Sequence, residues 1–255
     1  INDENRRNTQ ADQHPEEGLV NGSAENEVVE EERIRWVDAL CAPKVVLYGF
    51  TFFCIKFSIY AILLWMPIFL HQTRGYENSE IANLLTIYEV TTLTGTMILG
   101  PLTDLTYGKR SPVAVAAIVC ASVISLVMTF MYEDMSKTGL TITMGFLGFF
   151  LGSIYHIVNI TCCADLGKEQ RGKTATATIS GIIDGFGSTG TGTGMFCLGY
   201  LIDAWGYRYG FMFVVSLMIT LTLVPLSIIL GKDLVEIRRL RDQAAHDEQV
   251  ELLRR

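Results

Sequence analysis

The sequence predicts an all-α membrane protein built on six transmembrane helices. Three observations carry that prediction. Apolar residues make up 49% of the 255-residue chain, mean hydropathy is positive, and these residues gather into long blocks. The blocks run to about 20 residues or more, the length a helix needs to cross roughly 30 Å of hydrocarbon. Basic residues crowd alternate connections between the blocks, the asymmetry expected of cytosolic loops.

The chain divides into three parts. Residues 1–42 are polar and acidic, with "ENEVVEEE" near their end, and are the main source of the net charge of −7. A segment of that composition cannot bury enough surface to fold and is expected to be a disordered cytosolic loop. The chain does not begin with methionine, and this head is expected to join something upstream. Residues 43–231 form the six-helix bundle, with spans at about 44–70, 79–102, 111–132, 138–163, 174–202 and 207–230. Residues 232–255 mix both charge signs at helical spacing, as a solvated cytosolic helix does.

With the head in the cytosol, the same side holds Arg33, Arg35, Lys44, Lys109, Arg110, Lys168, Arg171, Lys173, Lys232, Arg238, Arg239 and Arg241. The opposite side holds only Arg74, Lys137 and Arg208. Both ends are therefore expected in the cytosol, as an even number of spans also requires.

Two stretches imitate nucleotide-binding motifs. "GKEQRGKT" matches the phosphate-binding loop and "GFGSTG" the dinucleotide fingerprint. Each motif needs a buried strand running into its first glycine. The first lies on a short connection between two spans, the second inside the fifth span, so neither has that context. Gly181 and Gly185 are four apart, as are Gly190 and Gly194, a spacing that lets helix backbones approach closely in lipid. These glycines are expected to pack helices. The glycosylation patterns at Asn21 and Asn159 fall in the cytosolic head and within a span, and are discounted. The six cysteines lack metal spacing and read as small buried hydrophobes. There is no basic patch for nucleic acid. No nucleophile–base pair suggests an enzyme, and no cofactor or metal is expected.

What remains is charge in the wrong solvent. Lys56, Glu89, His156 and Asp184 lie inside apolar blocks, where an ionisable group costs about 3 kcal/mol or more. Lys56 stands about 18 Å from either end of its span, at 1.5 Å per residue. A stem of about 6 Å cannot carry its amine to water. Lys56 must therefore meet an acid or a water-filled cavity. One reading is a structural ion pair with Glu89 or Asp184; the other is a cation that binds an anionic solute. Either carboxylate could also carry a proton. Lys56, Tyr60 and His156 are assigned to substrate binding, and Glu89 and Asp184 to charge pairing or coupling.

Several stretches carry a resemblance. "GPLTDLTYGKR", from Gly100 to Arg110, resembles the G-x-L-x-D…G-[KR]-R signature of the major facilitator superfamily, in the variant of the organophosphate–phosphate antiporters. "IKFSIYAILLWMPIFL" resembles the seventh helix of the sugar phosphate exchangers, solute carrier family 37. "IYEV" is similar to the Y-[DE] of their eighth. "ADLGKEQRGKTATATISGIIDGFGSTGTGTG" is similar to the connection into their glycine-rich eleventh, and "LIDAWGYRYGFMF" to the link into their twelfth.

The resemblance implies the C-terminal half of a twelve-helix fold, with the N-terminal six-helix half as its missing partner. It implies exchange of a phosphorylated sugar or glycerol phosphate for inorganic phosphate by alternating access, with the lipid bilayer as surroundings. An endomembrane such as the endoplasmic reticulum is favoured over the plasma membrane. It also implies that Gly100, Asp104, Gly108 and Arg110 form a gating loop, with Asp104 and Arg110 at a helix N-terminus. The alternative is a facilitator-type carrier of another small organic solute, coupled to protons through Glu89 or Asp184.

Overall fold

The computed structural model describes residues 36–41, 44–105, 109–162, 166 and 173–254, and every described element is helical. The acidic head up to residue 35, Gly108 and most of "GKEQRGKT" lie outside the described residues. A short α1 (Trp36–Leu40) precedes α2 (Val45–Arg74), which begins after Lys44 in a left-handed conformation, φ 75°. Gly75, at φ 62°, ends α2 by donating its N–H to the Leu70 carbonyl. That is the left-handed stop that glycine adopts without a Cβ penalty.

Helix α3 (Asn78–Asp104) starts at a capping box formed by Glu77 and Glu80. Helix α4 (Ser111–Met131) carries a proline in its first turn, where the missing N–H is harmless. Ser136 caps α5 (Lys137–Leu147) by accepting from the Gly139 N–H at 3.1 Å. This rod continues through wide, π-type turns at Gly148–Gly152, a short α6 (Ser153–His156) and more wide turns at Ile157–Cys162.

Helix α7 (Lys173–Gly206) ends where Gly206 takes φ 72°. The wide turns of Tyr207–Phe213 then fold back along α7. Gly210 lies so near the preceding helix that a Cβ there would stand 2.2 Å from the Leu201 carbonyl oxygen. Helix α8 (Val214–Leu221) is followed by α9 (Leu223–Arg254). The discontinuity at Thr222 lies just before Pro225, whose missing N–H leaves the Leu221 carbonyl without its helical donor.

Among the described residues, four stretches rather than six are long and apolar enough to cross a membrane: Val45–Arg74, Ser111–Met131, Lys137–Asn159 and Thr176–Arg239. Two physical causes account for the difference. Helix α3 has the length but carries Thr86, Thr91, Thr92, Thr94, Thr96 and Thr103, whose hydroxyls dilute its apolarity. The 64-residue stretch Thr176–Arg239 is continuous in helical and wide turns, although the chain folds back at Gly206 within it. Outward faces are apolar as well: Leu93, Met97, Phe130, Phe196 and Tyr200 are all exposed, as on a surface that meets hydrocarbon.

Close backbone approach holds the helices in pairs. Along α7, a Cβ at Gly187 would lie 2.6 Å from Phe52, one at Gly190 would lie 2.3 Å from the Phe53 carbonyl oxygen, and one at Gly194 would lie 3.0 Å from the Phe57 ring. These three glycines share the face that meets α2. At Gly181 and Gly185 a Cβ would meet nothing within 4 Å, so the contact runs through Gly187, Gly190 and Gly194 instead. The fifth rod meets α3 in the same way at Gly148 and Gly152, where Thr92 donates to the Gly148 carbonyl at 3.1 Å.

Polar ties lock the ends. Asp233, 2% exposed, accepts from Lys44 at 2.7 Å and from the Ser111 hydroxyl at 2.6 Å, joining the starts of α2 and α4 to α9. Between α4 and α8, the Ser216 hydroxyl bonds Ser125 at 2.5 Å and Thr129 at 2.8 Å. At the opposite end Arg74 donates to the carbonyls of Tyr132, Glu133 and Met135, and Lys137 pairs with Glu80.

Two predictions follow from this packing. Gly190→Ala drives a methyl against backbone and is expected to cost about 1–3 kcal/mol. Gly231→Ala, with nothing within 4 Å of its Cβ, is expected to gain up to about 1 kcal/mol of helix propensity. Thermal unfolding in detergent reads both, and equal shifts would refute the packing role of Gly190. The second concerns the pair of Lys137 and Glu80. Both side chains are largely exposed, so Lys137→Met should lower the melting temperature only slightly, and less than Gly190→Ala does.

Candidate functional site

Lys56 sits mid-way along α2, and its side chain crosses toward α7. The glycine at 187 makes this possible, since a Cβ there would lie 2.6 Å from the lysine Cδ. The amine reaches Asp184 of α7 at 2.6 Å and lies 5.1 Å from the centre of the Phe52 ring. A cation over an aromatic face gains from the ring quadrupole, more so when water is excluded. The pair is lopsided in its exposure. The Lys56 side chain is 8% exposed and that of Asp184 is 48%. The amine belongs to the interior, whereas the carboxylate stands at an open face.

One helical turn along α2 from Lys56 lies a cavity of about 150 Å³. Helix α2 contributes Tyr60, with Ile59 and Leu63. Helix α3 contributes Tyr88, Glu89 and Thr92, and the fifth rod contributes Gly152, Tyr155 and His156. The wide turns on either side of α6 frame the two residues it brings to this wall, Tyr155 and His156. Tyr155 links the cavity to the ion pair through Phe52: its ring stacks on Phe52 at 5.3 Å, and Phe52 in turn faces the Lys56 amine. The His156 ring meets Tyr155 edge-on at 5.0 Å.

The structure thus brings together Lys56 with Asp184, and Tyr60 with Glu89 and His156. It does not pair Lys56 with Glu89. Gly100 lies in α3 with nothing near its Cβ position. Asp104 is the last residue of α3, at a helix C-terminus rather than the N-terminus the motif implies, where the macrodipole does not favour a carboxylate. Arg110 precedes α4 and donates to the Thr103 hydroxyl at 2.8 Å. Gly108 lies outside the described residues. Thr92 and Tyr155 also line the cavity and carry no charge that singles them out in the sequence, whereas Tyr88 lies beside Glu89 in the "IYEV" stretch. The available sequence signal is the i, i+4 spacing of Tyr88 and Thr92 around Glu89, which sets all three near one face of α3.

The arrangement can bind and release an anion. A buried amine must keep a negative partner, because leaving it unpaired costs several kcal/mol. Asp184 supplies that partner from a half-open position, where another anion can take its place. A group of acceptors and hydroxyls stands beside it. No covalent chemistry is set up by this collection of side chains.

The family model described as Major Facilitator Superfamily matches residues 48–249. The chain is similar to "Sugar phosphate exchanger 3" of Homo sapiens, at 28% identity over 213 residues, 82% of this chain and 42% of the relative. Against the Gallus gallus protein of the same description, identity is 29% over 236 residues, 90% and 46%. Against "Glucose-6-phosphate exchanger SLC37A2" of Danio rerio it is 28% over 191 residues, 72% and 37%. The chain spans less than half the length of these curated relatives.

The unequal exposure of the ion pair predicts unequal mutational costs. Asp184→Leu strands a buried amine and should cost on the order of 3 kcal/mol. Lys56→Met leaves a carboxylate that water can reach, and should cost about 1 kcal/mol. The double variant should recover part of the loss seen in Asp184→Leu. Thermal unfolding of the three variants checks the order.

Proposed function

The chain belongs to the Major Facilitator Superfamily, and on that premise we propose that it forms part of a carrier exchanging a phosphorylated sugar or glycerol phosphate for inorganic phosphate. The observation that carries this reading is the Lys56–Asp184 pair: a buried amine whose ionic partner among the described residues is a half-exposed carboxylate. A phosphate group arriving from the open side displaces Asp184 and takes the lysine. Lysine binds phosphate as a point charge, without the forked geometry of arginine. The similar proteins, described as sugar phosphate and glucose-6-phosphate exchangers, support the same class of substrate.

The proposal extends to architecture. Six spans come from α2, α3, α4, the fifth rod, α7, and the rod of α8 and early α9. They would form one half of a twelve-helix carrier that works by alternating access, with its site near the midplane between two repeats. A phosphate dianion calls for a second cation, which we assign to the half that lies outside this chain. The basic residues on the Lys44, Lys109 and Lys232 side support a cytosolic position for both ends. An endomembrane such as the endoplasmic reticulum is the proposed location.

Substitution of one anion for another follows from the energetics of the pair. When the site is empty, Asp184 neutralises Lys56. When phosphate is bound, Asp184 is released toward the open side. Both states keep the buried amine paired.

The full-length protein in liposomes tests the reading. Phosphate exchange should fall by at least about 100-fold in Lys56→Ala, the worth of a charge-assisted contact, and recover in part in Lys56→Arg. It should not follow an imposed proton gradient. Uptake that follows the gradient and survives Lys56→Ala would instead favour a proton-coupled carrier using Glu89 or Asp184.

A further inference from the structure

Phe52 stands one helical turn before Lys56 on α2, so the two side chains share a face. Its ring centre lies 5.1 Å from the Lys56 amine. The ring is held in place from two sides, and the residue is fully buried. On the α7 side, a Cβ at Gly187 would stand 2.6 Å from it. On the side of the fifth rod, the Tyr155 ring is stacked on it, with 5.3 Å between centres and 8° between planes. Packing from two helices thus fixes the plane of the ring, with its face to the ammonium.

The amine therefore has two neighbours of different kinds. Asp184 brings a full charge to 2.6 Å, from a side chain that is 48% exposed. Phe52 brings only a ring quadrupole, but from a fixed and water-free position. The two differ in when they act. With a carboxylate or a phosphate in contact, that anion answers most of the ammonium's field. While one anion replaces the other, both stand off from the amine. Water has little access to it then, because the Lys56 side chain is 8% exposed. The ring still faces the charge, and a cation–π contact is stronger where it is desolvated. An attraction greater at the changeover than in either end state lowers the barrier between them and favours neither.

We propose that Phe52 is a positioning residue of the carrier, whose ring face holds the Lys56 ammonium while Asp184 and a phosphate group change places on it. The inference rests on the reading of Lys56 as the phosphate-binding cation. It assigns Phe52 to the rate of exchange and not to affinity, since the ring is buried from solute and faces the amine in both end states. It also gives Gly187 and Tyr155 a shared role. They keep the ring oriented in advance, so that no rearrangement is needed when the charge is least matched.

The test is a fluorine series at Phe52 in the full-length protein, reconstituted in liposomes and exchanging labelled inorganic phosphate. Phenylalanine carrying one, two or three ring fluorines, introduced by nonsense suppression, keeps its shape nearly constant while the face of the ring loses its negative potential step by step. The maximal exchange rate should fall with each fluorine, by about 5- to 30-fold at the third, the range of a desolvated cation–π contact, while the half-saturating phosphate concentration stays within about 2-fold. The same series at Phe57, which is buried against Gly194 of α7 and has no cation over its ring among the described residues, should leave the rate unchanged. A rate that ignores the fluorine count, or that falls equally in the Phe57 series, would overturn the assignment. So would a half-saturating concentration that moves while the maximal rate holds, since the ring would then act on a bound state. In each of these cases, loss of exchange in Lys56→Ala leaves the phosphate reading standing. Exchange that survives Lys56→Ala would instead sink that reading, and the role of Phe52 with it. Thermal unfolding of each preparation separates a loss of fold from a loss of rate.

Discussion

An amine that cannot reach water must be matched by a negative charge. That constraint governs the arrangement around Lys56. The glycine at 187 exists as open space that the lysine stem fills, and Phe52 offers its face to the ammonium. Asp184 completes the match from the less covered side of α7. A large side chain at position 187 would close the passage, and a charge-neutral residue at 184 would leave the amine without a partner. The site is therefore built by backbone proximity first and by charge second.

The same proximity makes the bundle stiff where it holds the site. Glycines bring α7 onto α2 and the fifth rod onto α3, and serine and threonine hydroxyls fasten α4 to α8. Hydrogen bonds of that kind average only about 0.6 kcal/mol each in a membrane. Their value lies in number and in fixing register. The wide turns flanking α6 interrupt the otherwise regular rod beside the cavity, and turns of this type often occur at functional positions.

How much of this can be read in the sequence depends on how costly each feature is. A charge in a membrane is so expensive that Lys56, Glu89, His156 and Asp184 stand out at once, and Asp184 is one of the two acids named as the lysine's partner. Hydroxyls are cheap there, so Tyr88 and Thr92 do not stand out, although they line the cavity. Glycine spacing marks α7 as a packing helix without saying which face packs: Gly190 and Gly194 meet α2, whereas Gly181 and Gly185 meet nothing. The polar link around Asp203 and Arg208 marks where one apolar block ends, and Gly206 there takes the left-handed conformation that turns the chain back. Asp104 illustrates a further limit. The motif that contains it resembles a family signature, but α3 runs on through it, so that Asp104 falls at the C-terminal end of a helix.

The buried carboxylate of Asp233 has a mechanical meaning. It grips the first turns of two other helices at the point where α9 leaves the bundle. From Asp233 to Arg254 the helix extends roughly 30 Å at 1.5 Å per residue. Such a rod acts as a crank. A torque applied to its far end, by anything that takes hold of it, is delivered to the roots of α2 and α4, and α2 is the helix that carries the amine.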